Sequence, residues 1–511
     1  MDKINKSYIL FLITIISICI AAAFLQNIAD YDLWARLLVG QHIVETGTFM
    51  RNDIFSYTPT HTWYDHEWGA SVIFYIVFKY FGQTGLILLK GILLSLIFII
   101  INKTIELRSD KTIDSTNIFY YIVALLALMN VAAATIRCHL FTFVFFTLWI
   151  YLLERIRRGE KKWIFYFPIM MVFWNNIHGG CVSGIGLLAI YILGEALDKK
   201  PVKDLLFSLA ATCIALIINP FGLQYLFFLI KATTMKRPLI AEWRGSFDKA
   251  LMFSLIKFKI FLLISTLTIA IKAVTEKINY IKADKTKIIL LLITAYLAIA
   301  HVKHQPFFVI TAAIFLYEDF FSLLKKFKLN ISNPQIKINK VFIYSLVILF
   351  SLLAIDRSYK EIPVKSDNYP IYQIDFIKQN NLKGNIFVNF QFGSYVIYKL
   401  FPNNLVVMDG RYEEVYNDDL LPKIRDFHLL KGDNWKKIIT DYKTDIIILE
   451  KKYPVYKVML EDKDWKLIFS DERFGLFLPI KGLKKQYIAP NPDLRYYQKT
   501  SFDSSVKFKK D

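Results

Sequence analysis

The stretch Tyr8–Leu25, YILFLITIISICIAAAFL, decides the fold, because it carries no charge and is long enough to cross a membrane as a helix. A basic segment precedes it, as in a signal peptide, but the run is long and no small-residue cleavage site follows, so we interpret it as an uncleaved first span. With the other apolar runs, spans are predicted near 8–25, 84–102, 117–136, 138–154, 163–177, 181–197, 204–221, 258–274, 287–302, 306–324 and 341–357. The sequence therefore predicts an α-helical polytopic membrane protein with about 11 transmembrane helices.

The charged residues set the predicted orientation of these helices. Lys and Arg number 63 against 43 Asp and Glu, and a net charge of +20 would also suit a nucleic-acid partner. The basic loops, however, all fall on one side, near residues 3–6, 103–111, 155–162, 199–203, 272–287 and 325–340. Cytoplasmic loops of membrane proteins carry such an excess of Lys and Arg, so we expect a cytoplasmic N-terminus and an extracytoplasmic C-terminus. The same rule accounts for the positive charge, so we expect no nucleic-acid partner. This holds only if Trp68–Phe81, which is short and contains Lys79, is an interfacial helix that does not cross.

The residues after the last predicted span have a different pattern of apolar and polar residues. Strand-like runs at Asn385–Phe390, Leu405–Met408 and Asp445–Leu449 alternate with helical stretches, a pattern typical of a small α/β domain. We therefore divide the chain into a transmembrane domain at 1–357 with a long first outer loop at 26–67, a C-terminal extracytoplasmic α/β domain at 358–483, and a loose tail at 484–511.

Two carboxylates, Asp30 and Asp32, follow the first span directly. A carboxylate in a partly dry cleft can act as a general base, because burial raises its pKa, and two together can hold a divalent cation near a phosphate. Asp32 alone could instead cap the helix that follows it. His66 and Glu67 close the same loop and could bind a substrate hydroxyl or stabilise a leaving group, while Asp65 could cap the next helix.

Cationic and titratable side chains recur at the predicted outer ends of the other spans. Arg137 suits bidentate phosphate binding, although an interfacial arginine can also snorkel to lipid headgroups. His301, Lys303 and His304 form the densest cationic spot on the outer face and break the positive-inside trend, which binding of an anionic phosphate would explain. Further candidates for substrate binding in the outer turns and loops are His139, His178, Glu242 and Arg244, the last two with an internal ion pair as the alternative.

In the outer domain, Asp409 and Arg411 follow a predicted strand. Residues after parallel strands often face ligands, although a turn that needs Gly410 is the simpler interpretation. The sequence contains no P-loop, GxGxxG, GxSxG or zinc motif.

The order of the motifs along the chain is more specific than any one of them. They are Asp30-Tyr31-Asp32-Leu33-Trp34-Ala35-Arg36, Asp53-Ile54-Phe55-Ser56-Tyr57-Thr58, His66-Glu67-Trp68, His178-Gly179-Gly180, Asn219-Pro220-Phe221-Gly222, Glu242-Trp243 and Asp409-Gly410-Arg411. In this order they resemble the GT-C superfamily of membrane glycosyltransferases, in particular a bacterial, largely uncharacterised branch. The similarity to protein O-mannosyltransferases and oligosaccharyltransferase catalytic subunits is more distant.

Two departures from the family pattern concern the acceptor and the first loop. The bacterial branch often has His where Arg36 stands. The WWDYG-type motif of oligosaccharyltransferases has no counterpart in the comparable residues Asn389–Tyr395, which argues against a peptide-sequon acceptor.

The resemblance implies a sugar transfer from a polyprenyl-phosphate-linked donor to a glycan, lipid or protein acceptor on the outer face of the membrane. It implies that Asp30 or Asp32 is the catalytic base, and that Arg36 belongs with the substrate-binding residues named above. Whether a divalent cation takes part is open, because the superfamily contains both kinds of enzyme; Asp30 and Asp32 would hold it. The expected location is a bacterial plasma (inner) membrane, with membrane lipid as a partner.

Two other functions are compatible with polar groups in a helical bundle. One is a transporter or flippase of a lipid-linked anion, and the other is a non-catalytic envelope assembly protein. Transporters place their sites near the membrane midplane, often with internal repeats. Here the polar clusters lie at one predicted face and no repeat is visible, so we favour the glycosyltransferase.

Overall fold

The computed structural model describes residues 6–26, 30–110, 118–129, 135–251, 253–327, 364–365, 368–482 and 497–498. Contacts divide the chain into two compact units. Unit 1 comprises Met1–Asn27 and Thr84–Lys360, and unit 2 comprises Ile28–Gln83 and Glu361–Asp511. The division into 1–357, 358–483 and 484–511 drawn from the sequence stays a prediction.

Helices and the loops between them make up the described residues of unit 1. Its longest helix, α3 (Trp68–Ser109), begins in unit 2 and is interrupted at Gly82, whose φ of 59° and ψ of −153° are not helical. Glycine adopts such angles without strain, so the helix can break at this residue. The break lies between the predicted interfacial helix and the predicted second span. The other helices are α1 (Lys6–Leu25), α4 (Ile118–Leu128), α5 (His139–Arg157), α6 (Tyr166–Ile177), α7 (Val182–Leu197), α8 (Lys203–Ala215), α9 (Leu223–Thr234), α10 (Ile256–Glu276), α11 (Ile278–Ala283), α12 (Lys285–Ala300), α13 (Gln305–Phe315) and α14 (Tyr317–Lys326).

One end of unit 1 is held by a network of ion pairs. Arg108 of α3 lies 3.0 Å from Asp284, which precedes α12, and Arg157 of α5 lies 3.1 Å from the same carboxylate. Arg157 also lies 2.8 Å from Glu195 of α7. Removing one member of such a partly buried network leaves its partner charge unpaired, which is strongly destabilising. These side chains lie beside the basic loops from which the cytoplasmic side was predicted.

Several helices of the described residues suit a membrane. Trp68–Ser109, His139–Arg157, Gly179–Leu197 and Ile256–Glu276 are long and apolar enough to cross it, and the bent pair Val302–Phe315 and Tyr317–Lys326 makes a fifth if it is one span. Large apolar side chains of unit 1 face outward; Phe207, Phe227 and Tyr296 are 68%, 68% and 71% exposed. Extensive exposed apolar surface of this kind marks contact with lipid or a partner.

These helices support a membrane protein, but they do not support the predicted number of eleven spans. Four or five helices pass the test of length and composition, and Phe11–Leu25 and Ile118–Leu128 are shorter apolar helices. The span predicted at 341–357 lies outside the described residues. The count of eleven therefore stays a prediction.

Unit 2 contains a five-stranded mixed sheet in the order β3-β2-β4-β6-β5. The three strands β3, β2 and β4 are parallel, and β6 is antiparallel to both β4 and β5. The central strand β4 is buried at all of its positions, as expected for a strand covered on both faces. The strands are β1 (Val364–Lys365), β2 (Gly384–Phe387), β3 (Asn404–Val406), β4 (Ile446–Glu450), β5 (Trp465–Ser470), β6 (Phe474–Pro479) and β7 (Tyr497–Gln498), and β1 pairs separately with β7.

Most of the helices of unit 2 connect these strands, and one of them, α2, lies in the first outer loop. They are α2 (Leu33–Thr46), α15 (Ile371–Gln379), α16 (Phe390–Leu400), α17 (Tyr412–Val415), α18 (Leu420–Leu429), α19 (Lys437–Asp441) and α20 (Pro454–Leu460). The predicted strand Asn385–Phe390 is too long, because the side chain of Asn389 accepts a hydrogen bond from the backbone N–H of Gln391 and starts α16 there. The small α/β domain predicted from the sequence is otherwise present as a sheet with connecting helices.

The first loop belongs to the sheet. Residues 55–57 lie along the outer edge of β3: the N–H of Val406 donates to the carbonyl of Phe55 at 3.0 Å, and the N–H of Tyr57 donates to the carbonyl of Val406 at 3.2 Å. The hydroxyl of Thr58 adds a bond of 2.7 Å to the carbonyl of Val407. These bonds satisfy the edge strand β3, which would otherwise expose its backbone groups.

Candidate active site

Asp30 and Asp32 stand at the start of α2 in unit 2. One carboxylate oxygen of Asp30 accepts a hydrogen bond of 3.0 Å from the backbone N–H of Asp32. Asp32 occupies the N-cap position of α2, but its side chain makes no capping hydrogen bond. The simple capping interpretation therefore does not account for this carboxylate.

Asp32 instead lies against the end of β3. A Cβ atom built on Gly410 would stand 2.0 Å from the Oδ1 atom of Asp32, so only glycine leaves room for this carboxylate. A Cβ atom on Gly393, in the first turn of α16, would stand 2.1 Å from the carbonyl oxygen of Met408. The two glycines thus allow a close approach of α16, the end of β3 and the acid pair.

A second group of charges surrounds Arg36, also in α2. Its guanidinium lies 2.7 Å from Asp65, 3.0 Å from Glu67 and 3.2 Å from Glu414 of α17. His66 lies 3.5 Å from Glu414 and 3.9 Å from Glu67. Arg36 and Asp65 are each only 3% exposed. The sequence-predicted residues Arg36, His66 and Glu67 are therefore brought together.

The charges in this group, which we call the Arg36 cluster, change one another's protonation. Burial opposes charge on His66, but Glu414 and Glu67 outweigh it and raise the pKa of His66 to about 9. His66 and Arg36 likewise overcome burial and lower the pKa of Glu414 to about 2. For Asp65 burial prevails over Arg36 and raises the pKa. A carboxyl whose pKa is raised can exchange a proton closer to neutral pH.

The predicted pair Asp409 and Arg411 is an internal ion pair of unit 2. Arg411 is 1% exposed and lies 2.6 Å from Asp409 and 2.9 Å from Asp53. Its guanidinium carbon lies 5.0 Å from the centre of the Phe55 ring and 4.8 Å from that of Trp63. The pair joins the first loop to the end of β3; its contact with a substrate stays a prediction.

In unit 1 the predicted cations gather around Trp243. The Nζ atom of Lys303 lies 3.9 Å from the centre of the indole ring, and the guanidinium of Arg237 lies 4.4 Å from it. The Nδ1 atom of His301 lies 2.7 Å from the carbonyl oxygen of Trp243, and the ring of His304 lies 5.7 Å from the indole. We call these residues the Trp243 cluster.

One carboxylate belongs to the Trp243 cluster. Glu242 forms an ion pair with Arg137. Burial would raise the pKa of Glu242, but Arg137, His139 and Lys303 lower it. Among the described residues of the cluster, Arg137, Arg237 and Lys303 carry three positive charges and Glu242 carries one negative charge.

Three other predicted residues of unit 1 have local roles. His139 begins α5 and its ring packs 5.3 Å from that of Phe143. The Nδ1 atom of His178 accepts a 2.9 Å hydrogen bond from the N–H of Gly180 and so orders the turn before α7. Arg244 has an exposed side chain, and its carbonyl oxygen accepts a 3.0 Å bond from the N–H of Val302.

The predicted site residues thus fall into two groups, one in each unit. Unit 2 holds Asp30, Asp32, Arg36, His66, Glu67, Asp409 and Arg411, and unit 1 holds Arg137, His139, His178, Glu242, Arg244, His301, Lys303 and His304. Sequence reasoning missed Arg237 and Glu414, and it quoted Asp53 in a motif without naming it as a site residue. For Arg237 a signal existed, because an arginine in a predicted outer loop departs from the positive-inside trend.

Comparison with known proteins gives a likeness of fold. No protein-family model and no curated protein sequence matches the chain. Among solved structures, the oligosaccharyltransferase of Archaeoglobus fulgidus in its apo form has a TM-score of 0.58 at 10% identity, over 88% of this chain and 70% of that one. The same archaeal enzyme, AglB, in complex with an inhibitory peptide and a dolichol-phosphate has a TM-score of 0.56 at 11% identity, over 88% and 70%.

A third structure of that enzyme, tethered to an acceptor peptide containing the NVT sequon, has a TM-score of 0.56 at 10% identity, over 87% of this chain and 69% of that one. The chain therefore shares its fold with an archaeal oligosaccharyltransferase, in agreement with the fold that the resemblance of the sequence motifs implied. The protein in these three structures is an archaeal oligosaccharyltransferase. The bacterial branch stays a prediction.

Proposed function

We propose that this chain is an integral membrane glycosyltransferase that transfers a sugar from a polyprenyl-phosphate-linked donor to an acceptor on the outer face of the membrane. The observation that carries the proposal is the acid pair Asp30 and Asp32, held against Gly410 within a chain that has the fold of an oligosaccharyltransferase. The eleven-span topology, with a cytoplasmic N-terminus and an extracytoplasmic C-terminus in a bacterial plasma membrane, is part of the proposal.

In the proposed reaction, Asp30 or Asp32 removes the proton from an acceptor hydroxyl. The hydroxyl oxygen forms a bond to the anomeric carbon of the donor sugar as the bond from that carbon to the phosphate oxygen breaks. The polyprenyl phosphate leaves with the electron pair, and the configuration at the anomeric carbon inverts. A base placed in this way contributes about 10²–10⁴-fold to the rate.

The negative charge that develops on the leaving phosphate needs cations. The Trp243 cluster offers Lys303 and Arg237 beside the indole ring, and Arg137, which pairs with Glu242. Charge-assisted hydrogen bonds from such groups are about twice as strong as neutral ones. We assign the cluster to the donor phosphate, with His301 and His304 beside it.

A divalent cation would fit the acid pair, because carboxylate oxygens are the ligands that Mg²⁺ and Mn²⁺ prefer. Asp30 and Asp32 would hold it, and it would supply charge neutralisation for the leaving phosphate. The side chains themselves orient the acceptor and take its proton.

The test uses purified protein in lipid vesicles with synthetic polyprenyl-phosphate sugars that carry a label in the sugar. We expect transfer of the label to a hydrophilic or lipid acceptor from an envelope extract, and loss of the same glycan from the envelope of a deletion strain. Movement of the intact donor across the vesicle membrane without transfer would instead identify a flippase. An unaltered envelope glycan profile in the deletion strain, with no transfer in vitro, would leave an assembly protein.

A further inference from the structure

The sheet of unit 2 has a point at which its strand order reverses. From β2, the middle one of the three parallel strands, the chain passes to β3 on one side and then returns to β4 on the other. In open α/β sheets, ligands bind outside the carboxyl ends of the strands at such a point. A half-buried aromatic residue follows each of the three parallel strands at this edge: Phe390 after β2, Tyr412 after β3 and Tyr453 after β4.

His428, in the last turn of α18, presents an unused hydrogen-bond acceptor there. Its ring is 3% exposed and packs 4.6 Å from the ring of Tyr453. The Nδ1 atom lies 2.8 Å from the carbonyl oxygen of Ile424, so Nδ1 carries the proton and Nε2 carries a lone pair. Among the described residues, Nε2 has no hydrogen-bond partner.

Glu450 presents a second unused acceptor at the end of β4. The residue is 2% exposed, and its Oε1 atom lies 2.7 Å from Arg473 and 2.8 Å from Lys452. Its Oε2 atom has no hydrogen-bond partner within the described part of the chain. The backbone N–H of Tyr453 donates to the carbonyl oxygen of Glu450 at 3.2 Å, so Tyr453 contacts both residues. Buried polar atoms in folded proteins are nearly always paired, so the two unpaired acceptors of His428 and Glu450 point to a ligand that donates.

The surrounding charges narrow the class of that ligand. Glu450 already pairs with two cations, Arg473 and Lys452, so a metal ion or an ammonium group would meet positive charge. Hydroxyl groups donate to acceptors such as Nε2 and Oε2 and also accept from Arg473 or from the side-chain amide of Asn389, which lies 3.1 Å from the hydroxyl of Tyr453. A sugar ring combines neighbouring hydroxyl groups with an apolar face of C–H groups that packs on an aromatic ring.

We propose that the edge of the sheet at His428, Glu450 and Tyr453 is a carbohydrate-binding subsite that holds a sugar of the acceptor. The inference rests on the proposed glycosyl transfer and names its acceptor class. The ring of Tyr31, between Asp30 and Asp32, packs 5.8 Å from that of Phe392. Phe392 in turn packs 5.4 Å from Phe474, which lies opposite Glu450 in the sheet, so the subsite lies near the acid pair.

The experiment measures binding without transfer. Full-length protein in a detergent without a sugar headgroup is titrated with the methyl glycosides of glucose, galactose, mannose and N-acetylglucosamine, observed by saturation-transfer NMR. We expect millimolar binding of at least one glycoside, weakened about tenfold or more by His428→Phe and by Glu450→Gln, because each variant removes one acceptor. Asp462→Asn is the matched control, since this buried carboxylate pairs with Lys436 at the opposite edge of the sheet.

Thermal unfolding separates a binding role from a structural one. If Nε2 of His428 serves a ligand, His428→Phe leaves the melting temperature unchanged or raises it, because an unpaired buried polar atom is removed. A lower melting temperature with unaltered glycoside binding would mean that the histidine only orders the domain, and the proposal would fail.

The remaining outcomes also decide the matter. Wild-type protein that transfers sugar but binds none of the glycosides overturns the subsite and leaves the proposed function standing. Glycoside binding that depends on His428 and Glu450 in a protein without transfer activity supports the subsite and counts against the enzyme. A sequon peptide that binds where the glycosides do not would replace a carbohydrate acceptor with a peptide.

Discussion

The guanidinium of Arg36 lies 3.2 Å from the carboxylate of Glu414, although 378 positions separate the two residues in the chain. The indole N–H of Trp63 donates to the other oxygen of the same carboxylate at 2.8 Å. Glu414 therefore receives charge and a hydrogen bond from two parts of the first loop. The interaction makes that loop a structural part of the C-terminal sheet domain.

Loss of Arg36 should destabilise unit 2. Arg36→Met would leave Asp65, Glu67 and Glu414 with only His66 as a counter-charge, and breaking such a buried pair costs about 3–5 kcal/mol. We expect a melting temperature several degrees lower for the purified protein. Arg425→Met is the control, because Arg425 is exposed and pairs with Asp426 on the surface. Equal melting temperatures for the two variants would show that the Arg36 cluster contributes no stability.

The Arg36 cluster should also make stability depend on pH. The pKa of His66 is raised to about 9 in the folded state, so its contribution is complete below its usual value near 6.5 and is lost as the pH rises through about 9. We expect the melting temperature to fall between pH 6.5 and 9.5, and His66→Gln to show a smaller fall. The measurement is thermal unfolding of both proteins across this range. Parallel curves would contradict a charged His66 in the folded protein.

The acid pair should be essential for transfer and not for folding. Asp30→Asn or Asp32→Asn should reduce the transfer rate about 10²–10⁴-fold, because an amide cannot accept the proton of the acceptor. The assay is initial rate with labelled donor, on variants that retain wild-type melting temperature. Asp441→Asn, on an exposed side chain of the same unit, should keep full activity. A double variant of Asp30 and Asp32 with a rate within tenfold of wild type would reject both as base and as metal ligand.

The Trp243 cluster should discriminate a phosphate from an alcohol. Lys303→Ala should weaken binding of polyprenyl phosphate roughly 10–100-fold, since a charge-assisted bond contributes about 1.5–3 kcal/mol and each 1.4 kcal/mol is a factor of ten. Purified protein is titrated with polyprenyl phosphate and with uncharged polyprenol. Lys259→Ala is the control, because this lysine also lies over an aromatic ring, that of Phe247 at 5.4 Å. If wild type binds both lipids equally, the cluster is only a headgroup anchor.

The orientation of the chain can be read from two reporter fusions. A fusion at Arg158 should report the cytoplasm and a fusion at Lys360 the outside, because the basic loops alternate with the predicted spans. Alkaline phosphatase and a fluorescent protein give opposite signals on the two sides. The same side for both fusions would remove the eleven-span topology and the outer location of the acid pair.

The sequence predicted those features that are encoded by residues close together in the chain. Apolar runs predicted the helices, and the run Asp445–Leu449 predicted the central strand, since both depend on nearby residues. Asp30, Asp32 and His66 could be singled out because ionisable groups near the end of an apolar span are unusual, whereas Arg36 follows from the family resemblance.

The sequence could not predict partners that lie far along the chain. Glu414 is one glutamate in a short helix, and nothing near it indicates that Arg36 is its counter-ion. The pairing of residues 55–57 with β3 has no local signal either, because an irregular loop shows no alternation. Such contacts depend on the tertiary structure alone.

The close approach of Gly410 to Asp32 has a consequence for the making of the protein. Asp32 leaves the ribosome early, and Gly410 is 378 positions behind it. At about 5–20 residues per second, translation covers that interval in roughly 20–80 seconds. During this time the nascent chain already carries its acid pair but not the backbone against which the carboxylate lies. Completion of the proposed active centre is thereby tied to completion of synthesis, and a prematurely terminated chain can insert its helices without acquiring this contact.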